Sequence, residues 1–168
     1  MTPFLAFLLL AGTAVGTSPG VSAVKVNEIS FGSAGFVELR NTGATAADVG
    51  GWSVQTCSGG TARILATIPP NTVLPPGEYF VIAGAAFSGT VPAGLVVDTV
   101  DGSGVITRNR HGAHTDSVGL TSSSPCREDS PAKPCADSSL GRDSASRDSD
   151  HNADDFACRI PSPGETNQ

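Results

Sequence analysis

The sequence predicts an all-β protein with a β-sandwich architecture, and three observations carry that prediction. Runs of alternating apolar and polar residues recur from residue 24 to residue 120, and a period of two is typical of half-buried strands. Turn signals rich in glycine and proline separate these runs about every 8 to 12 residues, as in sandwich folds. No window shows the 3.6-residue period that indicates an amphipathic helix.

The strands are predicted in chain order, each ending at a turn or at a proline, which cannot donate to a strand ladder. The most apolar strand, 78–83, follows the turn Leu74-Pro75-Pro76-Gly77. The last two form a hairpin around residues 110–112. On the first strand, alternation places Glu28 on the same face as Val26. The predicted strands are 24–31, 36–41, 52–57, 62–68, 78–83, 95–100, 104–109 and 113–120, and the predicted core is Val26, Val37, Leu39, Trp52, Val54, Ile64, Phe80, Ile82, Val97, Ile106 and Val118.

Residues 1–23 are predicted to form a cleaved secretory signal peptide, with an uncleaved anchor as the alternative. The apolar run 4–15 is shorter than the roughly 20 residues that span a bilayer. Small residues at 21–23 suit a signal peptidase. No later segment is long and apolar enough to cross a membrane, so we expect the chain to be secreted, with residues 24–168 as one domain.

The mature chain carries the whole formal charge of −6, because residues 1–23 contain no charged side chain. That balance disfavours a broad nucleic-acid-binding face. Arg63, Arg108 and Arg110, with His111, form the one candidate basic patch. Residues 24–168 contain no phosphate-binding loop, dinucleotide fingerprint or nucleophile elbow.

Four cysteines, an even number in an exported chain, indicate two disulfides. Three pairings are open, and we prefer Cys126–Cys135, which closes a local proline-rich loop, with Cys57–Cys158. A zinc site is the alternative, although no CxxC spacing supports it.

The carboxy-terminal part differs in composition from the rest. Residues 121–147 form a Ser/Pro/Asp-rich loop, and such composition is typical of disordered linkers. Cys158 and the apolar Phe156 and Ile160 suggest instead that the chain end folds back onto the body.

The run 148–155 contains the candidate metal ligands Asp148, Asp150, Asn152 and Asp155. Alternating carboxylate and amide oxygens can wrap calcium. The run lacks the glycine and the glutamate of an EF-hand loop, and the alternative is an Asx-rich turn whose side chains cap their own backbone. No other cofactor is expected.

Two further constellations could carry chemistry, and for both we favour a structural role. Glu28 and Glu38 lie on neighbouring strands, and paired carboxylates can hydrolyse glycosidic bonds. His114 and Asp116 are expected on one strand face with His111 in the adjacent turn, as part of a zinc site or of a solvated hairpin tip.

Several segments, in order, resemble the lamin-tail domain in its bacterial, secreted form. The resemblance implies an immunoglobulin-like β-sandwich with an ordered carboxy-terminal segment. It implies an interaction module more than an enzyme, although in bacteria such domains often accompany secreted nucleases, phosphatases or surface proteins. The segments are VNEISFGSAGFVELRNTG (26–43), ADVGGWSVQ (47–55), TVLPPGEYFVIA (72–83), TDSVGL (115–120), and SSLGRDSASRDSDHNADDF (138–156) with PSPGETN (161–167).

We therefore expect a secreted, monomeric, non-catalytic module that binds a protein or a cell-surface polymer. One alternative is an accessory module for extracellular DNA. The other is a minimal metal-dependent hydrolase, which needs a metal site that the sequence does not assemble.

Overall fold

The computed structural model of the chain describes residues 22–91 and 93–168. The predicted signal peptide lies outside these residues apart from its last two positions. Within the described part, no helix has the length and hydropathy needed to cross a bilayer.

The described residues form twelve strands and one short helix. Most strands match the period-two runs of the sequence, and the predicted hairpin at residues 110–112 is confirmed. The elements are β1 (Val24–Ser30), β2 (Phe36–Asn41), β3 (Ala47–Asp48), β4 (Ser53–Ser58), β5 (Thr61–Thr67), β6 (Val73–Leu74), β7 (Tyr79–Gly84), β8 (Gly94–Val97), β9 (Gly104–Arg108), β10 (His114–Gly119), β11 (Ser139–Gly141), α1 (Asn152–Asp155) and β12 (Ala157–Arg159).

Two sheets pack face to face as an immunoglobulin-like β-sandwich, which confirms the predicted fold class. One sheet has the order β12-β11-β1-β2-β7-β8 and the other β10-β9-β4-β5, while β3 and β6 form a separate ribbon. All neighbouring strands are antiparallel except β7 and β8. The outermost strands β5 and β8 contact each other along one side of the sandwich, and β10 packs against β1 along the other.

The core between the sheets is apolar and holds most of the predicted residues. Trp52, the one tryptophan of the chain, is 8% exposed and belongs to this core. Val97 is half-buried against it, and Ile106 is buried in a small separate cluster with the cysteines Cys57 and Cys126. The prediction for Ile64 is wrong: its side chain is 66% exposed.

The exposure of Ile64 follows from its place on an outer strand. Among the described strands β5 pairs with β4 alone, and Ile64 stands opposite Gln55, a neighbour of the inward-facing Val54. Because alternate residues of a strand point to opposite faces, this register places Ile64 on the outer face of its sheet. The pairing skips Leu65, where a bulge separates Ile64 from Ala66.

A bulge in β1 also overturns the predicted faces of the first strand. Val26 pairs with Leu39 but Glu28 pairs with Glu38, so Asn27 is an extra residue in the ladder. An extra residue reverses the alternation beyond it. Ile29 therefore joins the core, and Glu28 points to the opposite face of the sheet from Val26.

The carboxy-terminal part of the chain contains two strands, although its composition is typical of disordered linkers. β11 pairs with β1, with Ile29 opposite Leu140, and β12 pairs with β11. These two strands extend the larger sheet beyond β1, and Leu140 and Phe156 are buried in the main core.

All four cysteines form disulfides, but the preferred pairing is wrong. Cys57 is bonded to Cys126, and Cys135 to Cys158. The reason is the position of the loop after β10: it carries Cys126 over the outer face of the smaller sheet, beside Cys57 and Ile106. Cys135 lies farther along, where β12 brings Cys158 back to it.

Candidate functional site

Six charged side chains converge where β10 meets β1, on the side of the sandwich that the chain after β10 covers. We call this group the charged centre. Several of its carboxylates approach one arginine, and Asp148 also forms an ion pair with Lys25. The charged centre consists of Lys25, Asp116, Glu128, Arg142, Asp148 and Asp155.

Arg142, which directly follows β11, is the hub of the charged centre. Its side chain is completely buried, and its guanidinium lies 4.4 Å from the ring centroid of Phe156. Nε donates to the carbonyl of Val26 at 2.9 Å, and Nη1 donates to the carbonyl of Arg147 at 2.8 Å. Burial opposes the charge of this group, but the surrounding carboxylates outweigh that effect and raise the pKa of Arg142.

Asp116 links the two sheets through Arg142. Its carboxylate lies 3.0 and 3.2 Å from Nη2 of Arg142 and accepts the backbone N–H of Val26 at 2.6 Å. Burial raises the pKa of Asp116 to about 6, and the adjacent Arg142 opposes that rise because it favours the carboxylate. A buried ion pair with all its oxygens bonded is costly to break, because either partner alone would be an uncompensated buried charge.

The side chains of Glu128 and Asn152, from the chain that follows β10, also close the outer edge of β10. The Asn152 Oδ1 accepts the backbone N–H of Gly119 at 2.9 Å, and its Nδ2 donates to the carbonyl of Ser117 at 2.9 Å. Glu128 accepts the backbone N–H of Ser117 at 3.1 Å and the Nδ2 of Asn152 at 3.1 Å. The edge of β10 is therefore occupied by side chains in place of a neighbouring strand.

The predicted calcium ligands lie in and beside the chain that follows β10, and the side-chain oxygens of Asp148, Asn152 and Asp155 have protein partners, whereas the carboxylate of Asp150 is exposed. Asp148 bonds Lys25 and lies 3.2 Å from Arg142 Nη1; burial raises its pKa, but these two cations hold it below its usual range. Asp155 lies 3.2 Å from the same nitrogen and accepts the backbone N–H of Ser149 at 2.9 Å. Asn152 uses both its amide atoms on β10.

The backbone around Asp150 has the hydrogen bonds of an Asx-rich turn. The N–H of Asp150 donates to Asp148 Oδ1 at 3.2 Å, and its φ of 57° is left-handed, a conformation that Asp and Asn tolerate. These contacts favour the alternative in which the side chains of the run cap their own backbone. Calcium binding stays a prediction, and it would require Asp148 and Asp155 to exchange their present partners for the ion.

A melting curve in calcium and in EDTA tests the two interpretations of this run. We expect the same melting temperature in both, because the oxygens of Asp148, Asn152 and Asp155 are already bonded to cations and to backbone N–H groups. The matched variant is Asp150→Asn, which keeps the left-handed backbone and removes one negative charge. A calcium-dependent rise of several degrees that disappears in Asp150→Asn would establish the metal site.

Oxygens of Asp116, Glu128 and Asp148 lie within 4.8 Å of one another, a separation that a divalent cation could bridge. In this structure Arg142 bonds Asp116 and Asp148, and Glu128 bonds Ser117 and Asn152. The convergence of these carboxylates is therefore explained by contacts within the protein.

Glu28 and Glu38 stand opposite each other on β1 and β2, fully buried under the last residues of the chain. Glu38 accepts Nδ2 of Asn27 at 2.7 Å and the backbone N–H of Gly164. Glu28 accepts the hydroxyl of Ser139 and, from Ser162, the backbone N–H and the hydroxyl. Both carboxylates thus anchor the chain end, in agreement with the structural role favoured from the sequence.

Mildly acidic pH is expected to stabilise the fold through these carboxyls. Burial raises the pKa of Glu38 to about 7 and that of Glu128 to about 7. Because the pKa of Glu38 is higher in the folded chain than its ordinary value of 4.5, protonation of this carboxyl stabilises the fold. The stabilisation is fully present below pH 4.5 and is lost as the pH rises through 7. From Glu38 alone, the free energy of unfolding should fall by on the order of 2 kcal/mol between about pH 5 and about pH 8.

Denaturant unfolding at several pH values measures this dependence, and Glu38→Gln should reduce its slope. Glu165→Gln, in an exposed position of the same terminal segment, is the matched control and should leave the slope unchanged. Partial burial and the neighbouring Arg108 lower the pKa of His114, so this residue acts in the opposite direction at acidic pH. Equal slopes for the wild type and Glu38→Gln would contradict the prediction.

The histidine and arginine constellations are not assembled as binding sites. A bulge at Thr115 separates His114 from Asp116, so the expectation that they share a face is wrong: Asp116 is buried and His114 is exposed. Its Nε2 lies 3.0 Å from the Ser117 hydroxyl, whereas His111 is exposed in the turn.

The candidate basic residues are also spread over the molecule. Arg110 forms an ion pair with Asp48 at 2.9 Å. Arg108 pairs with Ser53 of β4, whereas Arg63 pairs with Thr56, three positions along that strand. Because alternate residues point to opposite faces, Arg63 and Arg108 lie on different faces of the sheet.

Sequence reasoning missed Arg142, Lys25 and Glu128. The burial of Lys25 could have been suspected, because it is a charged residue between two valines of a predicted strand. Arg142 and Glu128 lie in the Ser/Pro/Asp-rich part, where charged residues are common and no periodicity marks a buried one.

The fold and the bonding of its charged residues define a class of protein: a disulfide-linked, immunoglobulin-like β-sandwich whose buried ionisable groups hold its own chain together. The model of the Lamin Tail Domain family matches residues 17–122, more than half of the chain, and the chain belongs to that family. The family is non-enzymatic and indicates a non-catalytic interaction module. No curated protein matches the chain.

Proposed function

We propose that the protein is an exported, non-catalytic module that binds a protein or a cell-surface polymer outside the cell. One observation carries the proposal: the carboxylates that acid–base catalysis would use at Asp116, Glu28 and Glu38 are buried and bonded to the protein itself. Asp116 bonds Arg142, and Glu28 and Glu38 bond the chain end. The two disulfides support export, because such bonds persist in oxidising compartments.

The two alternatives need features for which the described residues offer less support. Binding of extracellular DNA needs a continuous basic surface, whereas Arg110 is paired with Asp48 and Arg63 lies on another face of its sheet from Arg108. A metal-dependent hydrolase needs carboxylates with a position open for metal and water, whereas those around Arg142 have protein partners.

The experiment measures binding and turnover with the same preparation of the oxidised chain 24–168. Labelled protein is titrated onto intact cells of the producing organism and onto cells stripped of surface proteins by protease. A panel of phosphoester and glycoside substrates is assayed with added divalent metal and with EDTA, and a gel shift with duplex DNA is run at low salt. We expect saturable cell binding without turnover or DNA shift. Metal-dependent turnover, or a DNA shift that weakens steeply with salt, would replace the proposal by the corresponding alternative.

A further inference from the structure

The outer edge of β5 is open along the side of the sandwich opposite to the charged centre. Within residues 22–91 and 93–168, this seven-residue strand forms its ladder with β4 alone. Among the described residues, no backbone or side-chain group outside the β4–β5 hairpin is hydrogen-bonded to residues 61–67. Thr61, Ala62, Arg63 and Ile64 are all exposed. An unpaired edge of this kind presents a row of free N–H and C=O groups to solvent.

The other edges of the two sheets are closed or short. Side chains of Glu128 and Asn152 bond the edge of β10. β12 has only three residues and is tied to the chain by the disulfide between Cys135 and Cys158. The fold therefore covers one side of the sandwich with its own chain and leaves β5 uncovered on the other.

A cleft of about 570 Å³ lies beside β5, between it and the segment that follows β8. β8 is the outermost strand of the larger sheet. Each of the two strands carries a strongly exposed β-branched residue, Ile64 at 66% and Val96 at 71%. Exposed apolar side chains next to an unpaired edge are typical of surfaces that bind extended polypeptides.

The charges beside β5 favour a basic occupant. The cleft is lined by one guanidinium, Arg63, and by two carboxylates, Asp98 and Asp101. Within the described residues none of the three belongs to an ion pair. The carboxylates outnumber the arginine, and the whole chain has a net charge of −6, so a lysine or arginine side chain would be attracted to the cleft.

We propose that β5 captures an extended segment of another protein, which adds to the smaller sheet as a further strand. The segment has apolar side chains on the face next to Ala62 and Ile64, and a lysine or arginine on the alternate face, next to Asp98 and Asp101. Main-chain hydrogen bonds supply affinity in this mode, and the alternating side chains supply selectivity. The inference rests on the proposed function and names the partner chemistry of the module.

A second copy of the chain fits this edge less well. Each copy carries the same net charge of −6, so two copies repel each other at low ionic strength. A copy of β5 would bring Arg63, a side chain of the kind that the cleft attracts, so the repulsion between the two copies is what disfavours this occupant. Self-association is accordingly an outcome that the experiment must be able to detect.

The probe is a synthetic seven-residue peptide with blocked ends, valine at the odd positions and lysine at the even ones. It is titrated to millimolar concentration into 15N-labelled, oxidised chain 24–168, with chemical shifts as the readout. We expect saturable shifts concentrated in residues 61–67 and 98–101. The same peptide with glutamate in place of lysine should bind at least about tenfold more weakly.

Two matched variants separate edge binding from general attraction of a cationic peptide. Ile64→Lys places a charge on β5, whereas Val73→Lys places the same charge at a residue of β6 that is 57% exposed. Both variants have the same net charge, so attraction of the peptide to the net charge of the chain would affect them equally. We expect the dissociation constant to rise at least about tenfold in Ile64→Lys and to change little in Val73→Lys.

Several results would overturn the inference: no saturation at millimolar peptide, shifts centred elsewhere, or equal affinities in the two variants. Concentration-dependent dimers that Ile64→Lys abolishes would assign the edge to a second copy. Measuring the binding of Ile64→Lys to cells distinguishes a failure of this inference from a failure of the proposed function. If Ile64→Lys binds cells as the wild type does and the peptide does not bind, the role of β5 is refuted and the proposed function stands. If the peptide binds to β5 but the wild type does not bind cells, the proposed function is refuted and the role of β5 stands.

Discussion

Arg142→Ala is expected to lower the free energy of unfolding by about 3–5 kcal/mol, the cost of breaking a buried ion pair. The variant leaves the buried carboxylate of Asp116 without its cation and removes donors to the carbonyls of Val26 and Arg147. For a domain of this size the loss corresponds to a fall of about 10 °C in melting temperature. Thermal and denaturant unfolding of the oxidised protein measure both quantities.

The matched control is Arg147→Ala, the same substitution at a side chain that is 84% exposed. Its ion pair with Asp143 is a surface contact four residues away in sequence, and such pairs are worth less than about 1 kcal/mol. Should Arg142→Ala give too little folded protein, Asp116→Asn tests the same pair with a smaller change of shape. If Arg142→Ala were no less stable than Arg147→Ala, the charged centre would not hold the fold together.

Replacing Cys57 and Cys126 together by alanine should destabilise the protein by about 4 kcal/mol, the second large effect that we expect. The disulfide joins residues 69 positions apart, so it restricts a long loop of the unfolded chain. Both cysteines are fully buried and pack against Ile106, so their removal also leaves space in the outer cluster of the smaller sheet. Urea unfolding of the double variant gives the loss directly.

The double alanine variant of Cys135 and Cys158 is the natural comparison. That bond spans 23 positions, and Cys158 is exposed. The shorter loop and the weaker packing should make its removal less costly by at least about 1 kcal/mol. Equal losses in the two variants would mean that neither loop length nor burial decides what these disulfides contribute.

The strands up to residue 120 could be predicted because each shows an alternation of apolar and polar residues within its own short segment. Val37 and Leu39, for example, point inward from a strand whose intervening residue is Glu38. Turn residues such as those of 74–77 then fix where each strand ends. The fold class follows from this pattern, and the lamin-tail resemblance gave the same architecture.

The pairing between distant segments could not be predicted in the same way. The bulge at Asn27 depends on how β1 meets β2, and it turns Glu28 away from the face that alternation predicts. Leu140 stands in a three-residue strand, too short for any period to appear. The disulfide pairing depends on the path of the loop that carries Cys126, which leaves no local signal.

The charged centre belongs to this second category, since its members come from parts of the chain far apart in sequence. Lys25 and Asp148 are 123 positions apart, and Asp116 reaches Arg142 from the opposite sheet. The sequence did identify the aspartates of the 148–155 run as a coherent group. The structure gives them cationic side chains and backbone N–H groups as partners.

Among the described residues, these contacts close one side of the sandwich with the protein's own chain and leave the edge strand β5 unpaired on the other side. Hydrogen–deuterium exchange of the free, oxidised chain 24–168 measures that asymmetry most directly. We predict slow exchange for the amides of Val26, Ser117, Gly119 and Arg142, and fast exchange for the outward-facing amides of β5. Fast exchange throughout residues 139–167 combined with protection along the whole of β5 would contradict this description, because the covering segment would then be loose and the open edge occupied.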